Sequence, residues 1–517
     1  MRFMQLLQRP FNWLFKKRLP HLERCINHPL ETQEKLLKKL IGKSKETVFG
    51  QQFDFSSIKR ITDFKTRVPI YTYEQLYPYI KRILKGERNI LWPTSTVWFA
   101  KSSGTTNASS KFIPVSSEAL QEGHYKAGKD MLAVYINNYP DSRVAQGKSV
   151  GLGGSLYPNA FHPGSAMRYG DVSAVLMKNL PFWAQWSRTP DLTVALMGEW
   201  EAKVEKLARI TAQKNVTSVV GIPTWVLLLL YKVMALQNQY CIQDVWPMLE
   251  LFIHGGIAFA PYKALFQSIS SKELRYLEVY NASEGFFAVQ DQVDAEDMLL
   301  LLDHGVFYEF IPLDEIEQEY PKTVGLEEVV LGKVYALLIS TNAGLWRYQI
   351  GDTIKFTSLA PFRIKIVGRT KHFINVFGEE VVIDNAEAAI TKACRLANAT
   401  LSDYTAGPRY LEAGKSGSHE WIIEFFKPPS NVERFIDILD ATLQELNTDY
   451  EAKRYKNIVL TRPIVHCVPQ GLFYQWLKKQ GKLGEQHKVP RLSNDRRYLD
   501  DILCLLEREN RQERKSH

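Results

Sequence analysis

The order of apolar and polar positions divides the chain into regions of different period. Up to about Pro93 apolar residues recur at helical spacing, most regularly over 22–41 and 73–84, with Pro69 and Pro93 as interruptions. Two short apolar segments then flank a run of small hydroxyl residues between Trp98 and Val115, so that loop is expected to join strand to strand. Ser116 or Ser117 caps a predicted helix from Glu118 to about Ile136. Four buried-type strands follow, each ending in small residues: 149–152 before Gly153-Gly154-Ser155, 216–220 before Gly221, 249–253 before His254-Gly255-Gly256, and 277–280 before Asn281-Ala282-Ser283-Glu284-Gly285. Such runs, separated by helical lengths, predict a largely parallel α/β sheet with helices on both faces. Open sheets of this kind place ligands at the turns after the carboxyl ends of their strands.

Beyond Phe286 the pattern shortens. Segments 306–311, 334–340, 353–357 and 363–367 read as antiparallel strands with short links, a small β-barrel-like sheet. From Phe373 it changes again, to strand 374–377, a turn at Gly378, strand 381–383, helix 386–396, strand 421–426, helix 432–446, strand 458–467 and helix 472–479. This is an α+β unit. A boundary at 368–372 gives domains of 1–370 and 371–517, and neither repeats nor low-complexity segments interrupt them.

Composition narrows the function classes. With 517 residues, 45% hydrophobic and 23% charged, the chain is an ordinary globular protein. Its 65 Lys+Arg against 56 Asp+Glu give +9, but the basic residues are scattered rather than striped. That suits acidic small molecules better than nucleic acid, and the basic run 508–515 reads as a solvated helix end. Five dispersed cysteines without metal spacing point to buried thiols in a reducing, cytoplasmic setting. The best apolar run, 225–230, is a fraction of the ~20 residues a membrane span needs. The basic, amphipathic start, broken by Pro10, is expected to pack on the main domain rather than to be a cleavable signal.

The chemistry-bearing residues lie in four stretches. Ser102-Ser103-Gly104-Thr105-Thr106 through Lys111 offers hydroxyls, freely turning amides and a cation, which suit phosphate oxygens. A ligand-free serine-rich hairpin reads equally well there. In Tyr280 to Gly285, Tyr280 gives a flat face for adenine, Ser283 a hydroxyl and Glu284 a hard oxygen ligand for Mg²⁺. In Trp346-Arg347-Tyr348-Gln349-Ile350-Gly351-Asp352, the aspartate suits ribose hydroxyls. Arg369, in the turn toward the last domain, suits ribose or phosphate. Taken singly, Glu284 reads also as a surface ion pair, Asp352 as a turn former and Arg369 as a solvated charge. Their joint occurrence in this order favours a nucleotide site.

The chain resembles the acyl-adenylate-forming superfamily, and within it the auxin-conjugating "Gretchen Hagen" family of acyl acid amido synthetases and its bacterial relatives. Four ordered motifs carry the resemblance over about 90–495: the hydroxyl loop, Tyr280-x-x-Ser283-Glu284-Gly285, Trp346 to Asp352, and Gln486-His487-Lys488-Val489-Pro490-Arg491. Leu446-Asn447, Tyr450, Lys453-Arg454 and Gly471-Leu472-Phe473 fit the same pattern. The chain departs from it at Ala108, where the loop usually has a second glycine, and at Trp346, where plant members have tyrosine. Gly368-Arg369-Thr370-Lys371 looks more like the wider superfamily.

The resemblance implies a large N-terminal adenylation domain with a mobile C-terminal domain. It implies an AMP-forming ligase: a carboxylic acid is adenylated by ATP with loss of pyrophosphate, and an amine, most often an amino acid, takes the acyl group. Ser102, Ser103, Thr105 and Thr106 would bind phosphates, Ser283 a phosphate oxygen, Glu284 Mg²⁺, Tyr280 adenine and Asp352 ribose. Lys488 would neutralise the α-phosphate or the departing pyrophosphate, and the last domain would swing about Thr370-Lys371. An acyl pocket for a hydrophobic or aromatic acid is expected among His124, Trp225, Val226, Gly344 and Trp346, although Trp225 and Val226 also read as plain core and His254 as structural. An acyl-CoA ligase shares the first half-reaction, and a nucleotide-binding homologue without turnover shares the site.

Overall fold

Helices form where the apolar period is helical. The 22–41 pattern becomes two helices, Leu19–Asn27 and Pro29–Ser44, because Pro29 supplies a helix-ready φ at a first position and has no N–H to lose. Tyr73–Leu84 has the expected bounds, and the Gln75 side chain accepts from the Thr72 backbone N–H at its start, 2.8 Å. The computed structural model describes residues 12–102, 111–256, 259–316, 318–369, 373–379, 381–410, 416–480 and 491–516. These fall into two compact units. One takes in 12–102, 111–256 and 266–369; the other takes in 259–265 and the chain from 373 onward.

The first unit holds two sheets. The smaller is built from β1 (Trp98–Ser102), β2 (Lys111–Val115), β4 (Leu156–Pro158) and β5 (Arg168–Gly170), in the order β2-β1-β5-β4. β1 and β2 are antiparallel, so the hydroxyl loop does join strand to strand, Ser102 standing opposite Lys111. The larger sheet has eleven strands. Its parallel half comprises β6 (Arg188–Thr189), β3 (Lys148–Gly151), β7 (Val216–Gly221), β8 (Leu251–His254) and β9 (Arg275–Ala282). Its antiparallel half comprises β10 (Gly285–Val289), β11 (Met298–Leu300), β12 (Val306–Pro312), β13 (Val334–Thr341), β14 (Tyr348–Leu359) and β15 (Phe362–Arg369).

The order β12-β13-β14-β15-β11-β10-β9-β8-β7-β3-β6 makes the two halves continuous. The strands expected to form a small sheet of their own thus extend the parallel one, through the β9–β10 hairpin and the β11–β15 pairing. Bulges in the β13–β14 and β14–β15 pairings bend that half. A single apolar cluster runs between the two sheets and the N-terminal helices, and includes Phe49, Phe64, Phe99, Ile113, Tyr280, Phe287 and Trp346.

In the second unit, β16 (Phe373–Ile374) pairs with β17 (Val381–Val382), and β18 (Thr400–Arg409), β19 (Ser418–Lys427) and β20 (Ile464–Val468) form a three-stranded sheet. Helices Ile383–Leu396, Val432–Leu446 and Leu472–Lys479 accompany these strands, and Arg497–Ser516 ends the chain. β18 has no counterpart in the sequence reading, and β20 is shorter than the 458–467 expected. Among the described residues no helix is long and apolar enough to cross a membrane.

Candidate active site

Four of the small-residue turns follow parallel strands of the large sheet, and therefore open on its carboxyl edge. After β8, Gly255 is required by space: a Cβ there would lie 2.3 Å from the Val279 carbonyl oxygen on β9. After β9, Ala282 pairs with Gly285, leaving Ser283 and Glu284 as the two-residue tip of the β9–β10 hairpin, both half-buried. Gly153 and Gly154, after β3, receive the Lys203 ammonium on their carbonyl oxygens at 2.8 and 3.3 Å. Burial pushes that lysine down to about 8. Sequence reading missed Lys203, because a lysine within the Trp200–Thr211 helix looks like any solvated one.

Asp352 reaches this region from the antiparallel half. Ala336 pairs with Thr353 and Leu338 with Gln349, so Ile350, Gly351 and Asp352 all stand opposite the single residue Leu337. Gly351 takes φ +96°, a value open to glycine and costly for side-chain-bearing residues. The bulge turns the Asp352 carboxylate toward β9, where the Tyr280 hydroxyl donates to its Oδ2 at 2.5 Å. Both residues are buried. A short bond to an ionised acceptor in a dry setting is strong and orienting. The Tyr280 ring meets Phe287 edge-on at 4.8 Å. On its other side Asp352 is paired through the backbone with Arg369 of β15.

The motif residue after Tyr280 recruits the helix behind it. Asn281 Oδ1 is 3.0 Å from His124 Nδ1. His124 ends a π-helical stretch, Ala119–His124, at the head of the Tyr125–Asn138 helix; single π turns of this kind recur at functional sites. Burial holds His124 down to about 4, against the opposing effect of the Asn281 bond, so its imidazole is neutral near pH 7. Ser116 fastens the start of the same segment, accepting from the Ala119 N–H at 2.9 Å and donating to the Asn342 carbonyl at 2.6 Å. The Asn342–Leu345 turn, with Gly344 at φ +86°, is thereby joined to it.

Some expected site residues turn out to be built into the core. Trp346 is fully buried among Phe49, Phe55, Phe64 and Trp92, and its indole N–H donates to the Leu91 carbonyl at 3.1 Å. Its bulk stiffens the Gly344 turn from behind. Val226 is likewise fully buried, 3.1 Å from where a Cβ on Gly221 would stand, and Trp225 is half-buried beside it. Their helix, Pro223–Leu236, packs on Trp200–Thr211. His254 is buried, and burial pushes it down to about 3.

Arg347, inside a motif, is a clamp. Its guanidinium donates to both Glu309 carboxylate oxygens at 3.0 and 2.8 Å, to the Lys65 and Val68 carbonyls at 2.8 and 2.6 Å, and to Thr323 Oγ1 at 3.0 Å. All five of its N–H donors have partners. In the second unit Arg491 of the Gln486–Arg491 stretch is bound to Asp403 and to the Tyr404 carbonyl. Tyr450 and Arg454 both bind Asp440. Ser102 ends β1, half-buried. Ser103, Thr105, Thr106 and Lys488 lie outside the described residues.

A mixed sheet with this edge, followed by an α+β unit, is a fold shared with solved ligase structures. A solved GH3.15 acyl acid amido synthetase in complex with 2,4-DB superposes with a TM-score of 0.61 at 17% identity, over 95% of this chain and 96% of that one. A 2-hydroxyisobutyryl-CoA ligase in complex with 2-HIB-AMP and CoA gives 0.52 at 12%, over 93% and 92%. Three family models then match in order: the GH3 family N-terminal domain over 18–274, its central domain over 299–369 and its C-terminal domain over 384–497. The chain belongs to the GH3 family. Its relatives include the indole-3-acetic acid-amido synthetase GH3.3 of Arabidopsis thaliana, 22% identical over 92% of this chain and 91% of that protein. Another is the jasmonoyl–L-amino acid synthetase JAR6 of Nicotiana attenuata, 26% identical over 62% and 66%.

Proposed function

We propose that this chain is an ATP-dependent acyl acid amido synthetase of the cytoplasm, joining a hydrophobic or aromatic carboxylic acid to an amino acid. The observation that carries this reading is the Tyr280–Asp352 hydrogen bond, which links two motif residues 72 positions apart. Family membership supports the reaction class, and the relatives' names supply the substrate types, an acid such as an auxin or a jasmonate and an amino acid.

In this reading the substrate carboxylate attacks the α-phosphorus of ATP, the bond to the pyrophosphate oxygen breaks, and the amine nitrogen then displaces AMP from the acyl carbon. Asp352 accepts the ribose hydroxyls, with Tyr280 holding its carboxylate in place and flanking the base. Ser102, Ser103, Thr105, Thr106 and Ser283 donate to phosphate oxygens, and Arg369 and Lys488 offset their charge. The half-buried Glu284 carboxylate is a hard-oxygen donor that fits Mg²⁺, which would supply further charge neutralisation at the phosphates. The acid lies between the His124 segment, the Trp225–Val226 helix and the Gly344 turn, with Trp346 as the turn's backing. Neutral His124 leaves that pocket uncharged on its side. The domain from 371 re-orients about Thr370-Lys371 between the half-reactions.

The test is a panel of carboxylic acids supplied with ATP and either amino acids or CoA, read by pyrophosphate release and product mass. Amide together with AMP is expected; an acyl-CoA thioester without amide would overturn the reading. Glu284→Ala should lower pyrophosphate release about 10²–10³-fold with an unchanged melting curve, and near-normal release would remove Glu284 from the metal role.

A further inference from the structure

The Leu19–Asn27 helix carries two groups that the reaction above does not use. His21 and Cys25 are four residues apart and share one face. Asp303, in the turn between β11 and β12, meets that face: its Oδ2 is 2.9 Å from His21 Nε2, and the Cys25 sulfur is 3.9 Å from the same nitrogen. One nitrogen, one sulfur and one carboxylate oxygen all lie within 4.8 Å of one another. A Cys–His–Asp proton relay needs the thiol and the carboxylate on opposite ring nitrogens. Here both address Nε2, which is the disposition of ligands converging on a point. Around a tetrahedral zinc ion, with Zn–N of about 2.0–2.1 Å and Zn–S of about 2.3 Å, neighbouring ligand atoms stand roughly 3.3–3.8 Å apart. To reach that spacing the His21–Asp303 pair opens by about half an ångström and the widest of the three separations closes by about an ångström.

We propose that His21, Cys25 and Asp303 form a binding site for one Zn²⁺ ion, with water as the fourth ligand. The His21 and Asp303 side chains are 39% and 32% exposed, which leaves an approach from solvent, while Cys25 is buried beneath them. Imidazole with thiolate selects a borderline-soft cation over Mg²⁺ or Ca²⁺. On binding, the Cys25 S–H bond breaks, sulfur bonds to the metal and the proton passes to water. Thiolate, carboxylate and dication then sum to zero charge. The Lys126 ammonium is the built-in competitor, donating to Asp303 Oδ2 at 2.6 Å and to the Asp303 carbonyl at 2.5 Å. It keeps the carbonyl when metal takes the carboxylate. Arg18, also on this side, is engaged by Asp130 at 2.7 and 3.1 Å. A bound ion would fasten the N-terminal helix to the 303–304 turn. The His304 carbonyl of that turn lies 3.4 Å from where a Cβ on Gly123, next to His124, would stand.

The full-length, chelator-stripped protein is titrated with Zn²⁺ against a chromophoric chelator, and with Co²⁺ for the thiolate-to-metal absorption band. About one equivalent and a clear band are expected. Cys25→Ser should abolish the band, and His21→Ala should weaken Zn²⁺ binding about 10–100-fold. Lys126→Gln, which removes the competing charge, should tighten binding roughly tenfold; a thiol trapping metal alone would not respond to it. A missing band, a stoichiometry unchanged in Cys25→Ser, or an affinity indifferent to both His21→Ala and Lys126→Gln would each overturn the proposal. None of these readings depends on which acid or amine the enzyme uses.

Discussion

Two side chains from one motif divide its labour. The Asp352 carboxylate faces the Tyr280 hydroxyl, and Tyr280→Phe removes a bond to an ionised acceptor while keeping the ring. If Asp352 holds ribose, the KM for ATP rises about tenfold with kcat little changed, as steady-state kinetics would read. Arg347, five residues earlier, is sealed against Glu309 with side chains 6% and 2% exposed. Arg347→Met leaves that carboxylate buried and uncompensated, at a cost of about 3–5 kcal/mol in urea unfolding. Adding Glu309→Gln to it should recover part of the loss in a double-mutant cycle. The motif was legible in the sequence, but this split of roles was not. Glu309 is 38 residues away from Arg347, and the aromatic walls around Trp346 come from positions 49, 55, 64 and 92.

Elements were readable where one period ran unbroken. Val432–Leu446 and Leu472–Lys479 form at the expected residues because each has an apolar stripe and a clear start, Asn431 accepting from the Arg434 N–H in one and Gly471 at φ +89° in the other. β18 escaped because Ser402, Asp403, Gly407 and Pro408 break its alternation. Its Gly407 faces the tip of the Leu499 side chain, 2.5 Å from where a Cβ would stand. The Gly344 turn shows how tightly such elements are set. A Cβ there would lie 2.7 Å from Leu91 Cβ and 2.8 Å from its carbonyl, at a φ that side chains avoid. Gly344→Ala should therefore destabilise the chain by about 1–3 kcal/mol in chemical denaturation, and shift the Trp346 fluorescence with it.

For the whole molecule, the parallel half of the large sheet was legible, and its continuity with the antiparallel half was not. The β9–β10 hairpin starts the antiparallel half and the β11–β15 pairing brings strands β12 to β15 onto it, and a pairing between strands that far apart in sequence leaves no local trace. Neutral histidines buried across the first unit contribute to its response to acid, beside carboxylates such as Glu118. His124 is held down to about 4 and His254 to about 3, and His304 is also lowered, in each case chiefly by burial. The unfolded chain takes up these protons near pH 6.5 while the folded one resists them, so their stabilisation is complete above that pH and is lost as the pH falls toward each folded value. For His124 and His254, urea unfolding should show stability falling by on the order of 1–2 kcal/mol per histidine between pH 7 and 5. His124→Gln should flatten that slope by one histidine's share, whatever its effect at pH 7.

The strand that carries Asp352 is also stitched to the beginning of the chain. The Tyr71 N–H donates to the Arg347 carbonyl at 2.8 Å, the Gln349 N–H donates to the Tyr71 carbonyl at 2.9 Å, and the guanidinium between them holds the carbonyls of Lys65 and Val68. The segment from Lys65 to Tyr71 is therefore not a detachable preface. Anyone trimming the protein toward a minimal catalyst would have to keep it, because it splints the strand that carries Asp352.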